Sequence, residues 1–155
     1  MNKEETQGDS THEETLAAYE KELKEIQSQK GLGHLDAANM LSQIGGIHWE
    51  MGKYSQAVAH GKQALGIIDK ALGSDHTHTI TSVENLISGL IAIKQYSQAQ
   101  AMLDKYIGYL TEDHPRYDYF HALENYIAKE SAKAGFRPPS VKKKNKNKKR
   151  KRKNR

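Results

Sequence analysis

The sequence has no cysteine among its 155 residues, and that absence removes several classes of protein at once. Disulfide frameworks, thiolate zinc sites and cysteine nucleophiles are all excluded, so a chain of this length must be held by an apolar core. Proline is scarce: Pro138 and Pro139 fall together, which leaves residues 11–134 with Pro115 alone. No run of about 18 consecutive apolar residues is present, which argues against a membrane-spanning helix. The first thirty residues hold no apolar stretch of the secretory kind. The expectation is an intracellular protein, cytoplasmic or nuclear, with no membrane role.

Catalytic signatures are missing too. There is no G-x-S-x-G elbow, no phosphate-cradling glycine loop and no H-E-x-x-H pair, so neither an enzyme nor a cofactor is expected. Eight histidines raise the question of a metal, above all His76 and His78 beside Asp75. Zinc needs three or four convergent ligands, whereas His34, His76 and His114 each precede a helix as repeat-start residues. His60 and His121 read as isolated packing or surface residues, and no metal site is expected.

What is present is charge, unevenly placed. The net charge of +5 conceals a strongly basic segment: Lys142, Lys143, Lys144, Lys146, Lys148, Lys149, Arg150, Lys151, Arg152, Lys153 and Arg155. The rest of the chain is acidic, with 13 basic against 19 acidic residues. The basic run has no apolar side chain to offset the entropy of ordering. It has no aromatic for stacking on bases, so any polyanion contact through it should lack sequence preference. The same run meets the crude rule for nuclear import. GFRPPS at residues 135–140 ends any preceding helix, because proline lacks an amide donor and disfavours helical geometry before it. Composition thus divides the chain into a disordered head (1–10), a helical repeat domain (11–134) and a disordered Lys/Arg-rich tail (135–155).

Within the domain, apolar residues recur at the i, i+3, i+4, i+7 spacing of amphipathic helices. Six stripes result: Leu16, Tyr19, Leu23 and Ile26; then Ala37 to Met51; Tyr54 to Leu72; Ile80 to Ile93; Tyr96 to Leu110; and last Tyr119, Leu123, Tyr126 and Ile127. The tetrapeptide YSQA occurs at residues 54–57 and again at 96–99, an offset of 42. The same offset carries His34 to His76, Leu23 to Leu65, Ile26 to Ile68 and Ile44 to Leu86. VENLI at 83–87 returns as LENYI at 123–127, an offset of 40, which predicts a fifth helix about one turn shorter. Gly52 stands where a left-handed helix end is wanted, Ser74 or Asp75 is placed to cap the fourth helix, and Pro115 opens the last. Helix pairs with one apolar stripe per helix cannot bury it alone, so neighbouring pairs must stack.

The run Leu72-Gly-Ser-Asp-His76, with Met51-Gly-Lys-Tyr54-Ser-Gln-Ala57 and Ala64-Leu65 in the preceding unit, resembles the 42-residue tetratricopeptide repeats of kinesin light chains. The resemblance covers about residues 12–133 and implies an all-α fold: a short right-handed α-solenoid of about six helices in stacked hairpins, followed by the basic tail. The chain departs from the pattern at His48, Gly61, Lys94 and Tyr106, which replace Tyr, a large apolar residue, the turn glycine and a small alanine. In the family, the first helix of each unit lines a concave face that holds extended peptides, often through asparagine amides that donate and accept together. Carried over by position, that face comprises Ser42, Gln43, Trp49 and Glu50, then Glu84, Asn85 and Ser88, then Glu124, Asn125 and Lys129. The peptide-binding candidates are Gln43, Trp49, Glu84, Asn85, Glu124 and Asn125.

The resemblance implies an adaptor or scaffold that holds a partner peptide or helix, with the tail serving import or polyanion contact. The alternative is an RNA- or chromatin-associated factor whose tail supplies sequence-independent nucleic-acid binding. Opposite charge on body and tail suggests that the tail could fold back on an acidic groove, and the uncapped ends of a short array suggest homo-oligomerisation.

Overall fold

The computed structural model describes residues 3–135, with side chains from residue 10 onward. Its helices are α1 (Lys3–Lys30), α2 (Leu35–Glu50), α3 (Tyr54–Leu72), α4 (Thr77–Ala92), α5 (Tyr96–Tyr106) and α6 (Tyr117–Lys133), with a 3-10 turn, Ile107–Tyr109, after α5. No strand occurs among the described residues. The tail candidates, residues 142–155, lie outside them. The head, expected to be disordered over residues 1–10, has helical backbone from Lys3. Its Glu, Lys and Gln residues are good helix formers, and no proline interrupts them. Glu13 and Glu14 sit in the body of α1.

The 42-residue period is written into the backbone. Lys53 N donates to His48 O at 2.8 Å and, one period on, Gln95 N donates to Leu90 O at 2.8 Å. The residue just before each donor is left-handed: Gly52 has φ +71° and Lys94 has φ +58°. Helix starts repeat as well. His34 Nδ1 accepts from Asp36 N at 3.2 Å, and His76 Nδ1 accepts from His78 N at 3.1 Å. The imidazole is therefore the N-cap of both α2 and α4, where Ser74 or Asp75 was expected to cap the second. Ser74 Oγ instead donates to Asp69 Oδ1 at 2.5 Å. His114 Nδ1 accepts from Arg116 N at 3.1 Å, and α6 begins at Tyr117, two residues later than Pro115 suggested.

Each helix packs on its neighbours in sequence, α1 on α2 and so on to α5 on α6, as a quasi-one-dimensional array requires. A main core runs from Val58 and Leu65 of α3 through α4 and α5 to Phe120 and Ile127 of α6. A smaller one joins Ala38 and Leu41 of α2 to Ala64 and Ile68 of α3, with Leu23 of α1 against it. The fifth helix is shorter than expected, 11 residues against 19 in α3, although the 3-10 turn extends it. The buried stripe of α6 is Phe120, Ile127 and Ser131. Tyr119 and Tyr126, expected in that stripe, are 39% and 47% exposed. Leu123 and Ile127, also expected there, do pack in the main core, while Phe120, at the position of Ile80, takes the place of the two tyrosines, whose hydroxyl ends tolerate water.

Candidate functional site

Stacking leaves a groove of about 310 Å³ between α2 and α4 with α3 as its floor. From α2 come Ser42, Gly45, Gly46 and Trp49; from α3 Ala57, Val58, Gly61 and Ala64; from α4 Ser82, Asn85, Leu86, Ser88 and Gly89. Spacings of three and four place these residues on one face of each helix. Small side chains make the hollow. An added Cβ at Gly89 would meet Val58 Cγ2 at 2.8 Å, and one at Gly45 would meet Ala57 O at 3.4 Å, so both glycines permit close helix approach. Gly61, a departure from the family pattern, leaves the floor open where a large side chain would fill it.

The polar groups of the groove divide into spent and free. Ser42, Ser82 and Ser88 each donate to the carbonyl four residues back, of Ala38, His78 and Glu84, at 2.8–3.0 Å. The Asn85 amide is exposed and has no hydrogen bond among the described residues. Trp49 is 42% exposed, and its ring is held edge-on by Tyr54 at 4.8 Å. It also lies 3.8 Å from where a Gly89 Cβ would be, so it reaches from the end of α2 toward α4. None of the lining residues is charged. The acidic groove expected to attract the basic tail is therefore not found: the lining is uncharged and mostly of small residues.

Of the six candidates, Trp49 and Asn85 come together in this groove. Gln43 is exposed but turned about a quarter of a helix away from the lining residue Ser42. Glu84 lies beside the groove with its side chain 16% exposed, and Arg116 at the start of α6 holds it at 3.3 Å. Its carboxylate ties α4 to α6. Glu124 approaches His121 Nδ1 at 3.2 Å, and Asn125 is exposed on α6; neither lines the groove.

Behind the groove stand two residues whose relation the sequence did not reveal. His48 of α2 and His60 of α3 stack at 5.2 Å between ring centroids, with planes 8° apart. His48 is 7% exposed, and the Nδ1 atoms of both rings are buried without a partner among the described residues. Burial holds both imidazoles below their ordinary pKa, the other ring and Lys53 add to this at His48, and Glu20 of α1 opposes it at both. The two rings lie on different helices, so no spacing rule within one helix could pair them. Among the described residues, no group of three or more His, Asp or Glu side chains is arranged to hold a metal, and no helix is long and apolar enough to cross a membrane.

A family model described as tetratricopeptide repeat matches residues 6–70 and 36–112. The clustered mitochondria protein homolog of Homo sapiens is 28% identical over 89 residues, which are 55% of this chain and 7% of that protein. The chain thus spans a small part of the length of that relative. The crystal structure of BtubC (BKLC) from P. vanneervenii superposes with a TM-score of 0.66 at 15% identity, covering 79% of this chain and 51% of that one. At that identity the likeness concerns the fold.

Proposed function

Because the chain belongs to the tetratricopeptide repeat family, whose repeats generally mediate protein–protein interaction, we propose that it is a non-enzymatic adaptor holding a segment of a partner protein in the groove between α2 and α4. The observation that carries this reading is the free Asn85 amide facing the same hollow as the half-exposed Trp49. A partner backbone offers both a donor and an acceptor, and an amide side chain can satisfy both. An indole adds a rigid apolar wall of the kind that anchors interfaces. The groove volume is at the low end of ligand-sized hollows, roughly 300–1,000 Å³, which suits a few residues of an extended segment better than a whole helix.

The basic residues 142–155 have a supporting part in this proposal, as an import signal or a polyanion contact. Affinity capture with the full chain, with a chain ending at residue 140, and with a Trp49→Ala, Asn85→Ala double variant separates the two roles. Partners lost with the double variant and kept without the tail support the adaptor. Partners unaffected by the double variant and lost with the tail overturn it in favour of nucleic-acid association. In that case, log affinity for a single strand falls with log salt at a slope on the order of −4 for about six phosphate contacts.

A further inference from the structure

We infer that the stacked pair His48–His60 is an acid-sensitive latch behind the groove, which holds α2 and α3 together when both rings are neutral and loosens the groove when either takes up a proton. The inference concerns regulation of the site and rests on the reading of the groove just given. Its basis is a shared contact. Gly45 of α2 lies against Ala57 O and, at 3.6 Å from its would-be Cβ, against His60 Cβ. The residues at this crossing therefore face two ways: Gly45 and Ala57 line the groove, while His60 and His48 press face to face. His48 immediately precedes Trp49, and His60 immediately precedes Gly61.

A neutral pair suits this place. Parallel imidazoles stack as aromatic rings do, and each leaves one nitrogen buried without a partner at the cost of a lost hydrogen bond. Protonating one ring puts a cation where water is scarce, and protonating both puts like charges about 5 Å apart. The charged groups facing the pair are few. Glu20 of α1 favours the charged form, while Lys53 in the α2–α3 turn opposes it at His48. Glu50 of α2 is engaged with His12 Nε2 at 3.2 Å. One carboxylate cannot neutralise two imidazolium ions, so acid must admit water by parting α2 from α3 or by lifting α1. Parting α2 from α3 displaces Trp49 of one relative to the floor residue Gly61 of the other, and the latch requires that route. Metal binding is not an alternative use of the pair, because nitrogen lone pairs lie in the ring planes and parallel planes do not converge on one ion.

The test needs no partner, since Trp49 is the single tryptophan of the chain and its indole N–H gives one resonance. With the labelled full chain titrated from about pH 7.5 to about pH 5, His48 and His60 should titrate below the ordinary histidine value of about 6.5. The Trp49 indole resonance should move with the same midpoint. A His48→Tyr, His60→Phe double variant, which keeps two stacked rings without a titrating group, should hold that resonance still. An indole signal that ignores the two histidines, or that still moves in a helical double variant, overturns the latch. Should circular dichroism show that the double variant has lost its helices, Glu20→Gln on the exposed face of α1 decides. It should lower the histidine midpoints and carry the Trp49 indole midpoint with them, and an indole midpoint that does not follow theirs overturns the latch. The groove reading stands or falls separately, on whether Trp49→Ala, Asn85→Ala loses captured partners at about pH 7.5.

Discussion

Tyr106 Oη donates to Asp69 Oδ2 at 2.7 Å, joining the end of α5 to the last turn of α3. Lys105 Nζ reaches the same oxygen at 3.1 Å, and Ser74 Oγ donates to the other. Tyr106 is 1% exposed, so its ring is core and its hydroxyl is the polar tip that must find a partner. The short fifth helix is thus fastened to its neighbour by a carboxylate with three donors, where the family pattern has a small alanine.

Tyr106→Phe should lower stability by about 1.5–3 kcal/mol, the range for a hydrogen bond to a charged group, as read by urea denaturation. Burial alone would raise the Asp69 pKa, but the bonds from Ser74, Tyr106 and Lys105 together hold it below the ordinary value. A depressed carboxylate contributes stability that is complete above its unfolded value, near 3.9, and is lost as pH falls through the folded value. Asp69→Asn should flatten the acid limb of the stability profile below about pH 4.

Lys94→Gly should stabilise the domain. Lys94 has φ +58°, a conformation that costs a residue with a Cβ about 1–2 kcal/mol, and glycine removes most of that strain against a gain in unfolded-chain entropy. The reciprocal change one period earlier, Gly52→Ala at φ +71°, should destabilise by about 1 kcal/mol. A pair of thermal melts would show the two shifts with opposite sign.

Gly89→Ala should cost about 1–3 kcal/mol through overpacking, because its methyl would stand 2.8 Å from Val58 Cγ2. Val58→Ala in the same chain should return part of that loss. The double-mutant cycle would give a coupling of opposite sign to the single Gly89→Ala effect, and additive losses would refute the contact.

His76→Ala removes the acceptor for His78 N and should destabilise by about 0.5–2 kcal/mol, whereas His76→Asn should retain most of the cap. Hydrogen exchange of the first α4 amides would localise the loss.

For the His48–His60 pair, both folded pKa values are depressed, so the unfolded chain takes up protons first as pH falls. Stability should be complete above about 6.5, the unfolded value, and should decline as pH falls through the folded values. His60→Phe should reduce that decline between about pH 6.5 and 5, measured as the urea midpoint at each pH.

Helix periodicity was legible in most of the chain because each stripe mixes apolar and polar residues at a single spacing, as in Ile80, Val83, Leu86, Ile87 and Leu90. It misled in α6, where adjacent aromatics at 119 and 120 offered two registers and only packing against α5 chose Phe120. Chemistry at the helix starts was visible as recurring histidines, yet their capping role was not, since Ser74 and Asp75 were nearer to the usual cap preference. Of the groove, Trp49 and Asn85 were readable by position in the repeat. The glycine-lined floor was not, because small residues carry no pattern until two helices are brought together.

The sequence by itself determined the helices, their 42-residue period and the turns between them, since these depend on neighbours a few residues apart. Tertiary structure decided which polar groups are left free, which histidines face each other and that the hollow is neutral. Those properties depend on distances between side chains far apart in the chain, and only the stacking of one helix on the next sets them.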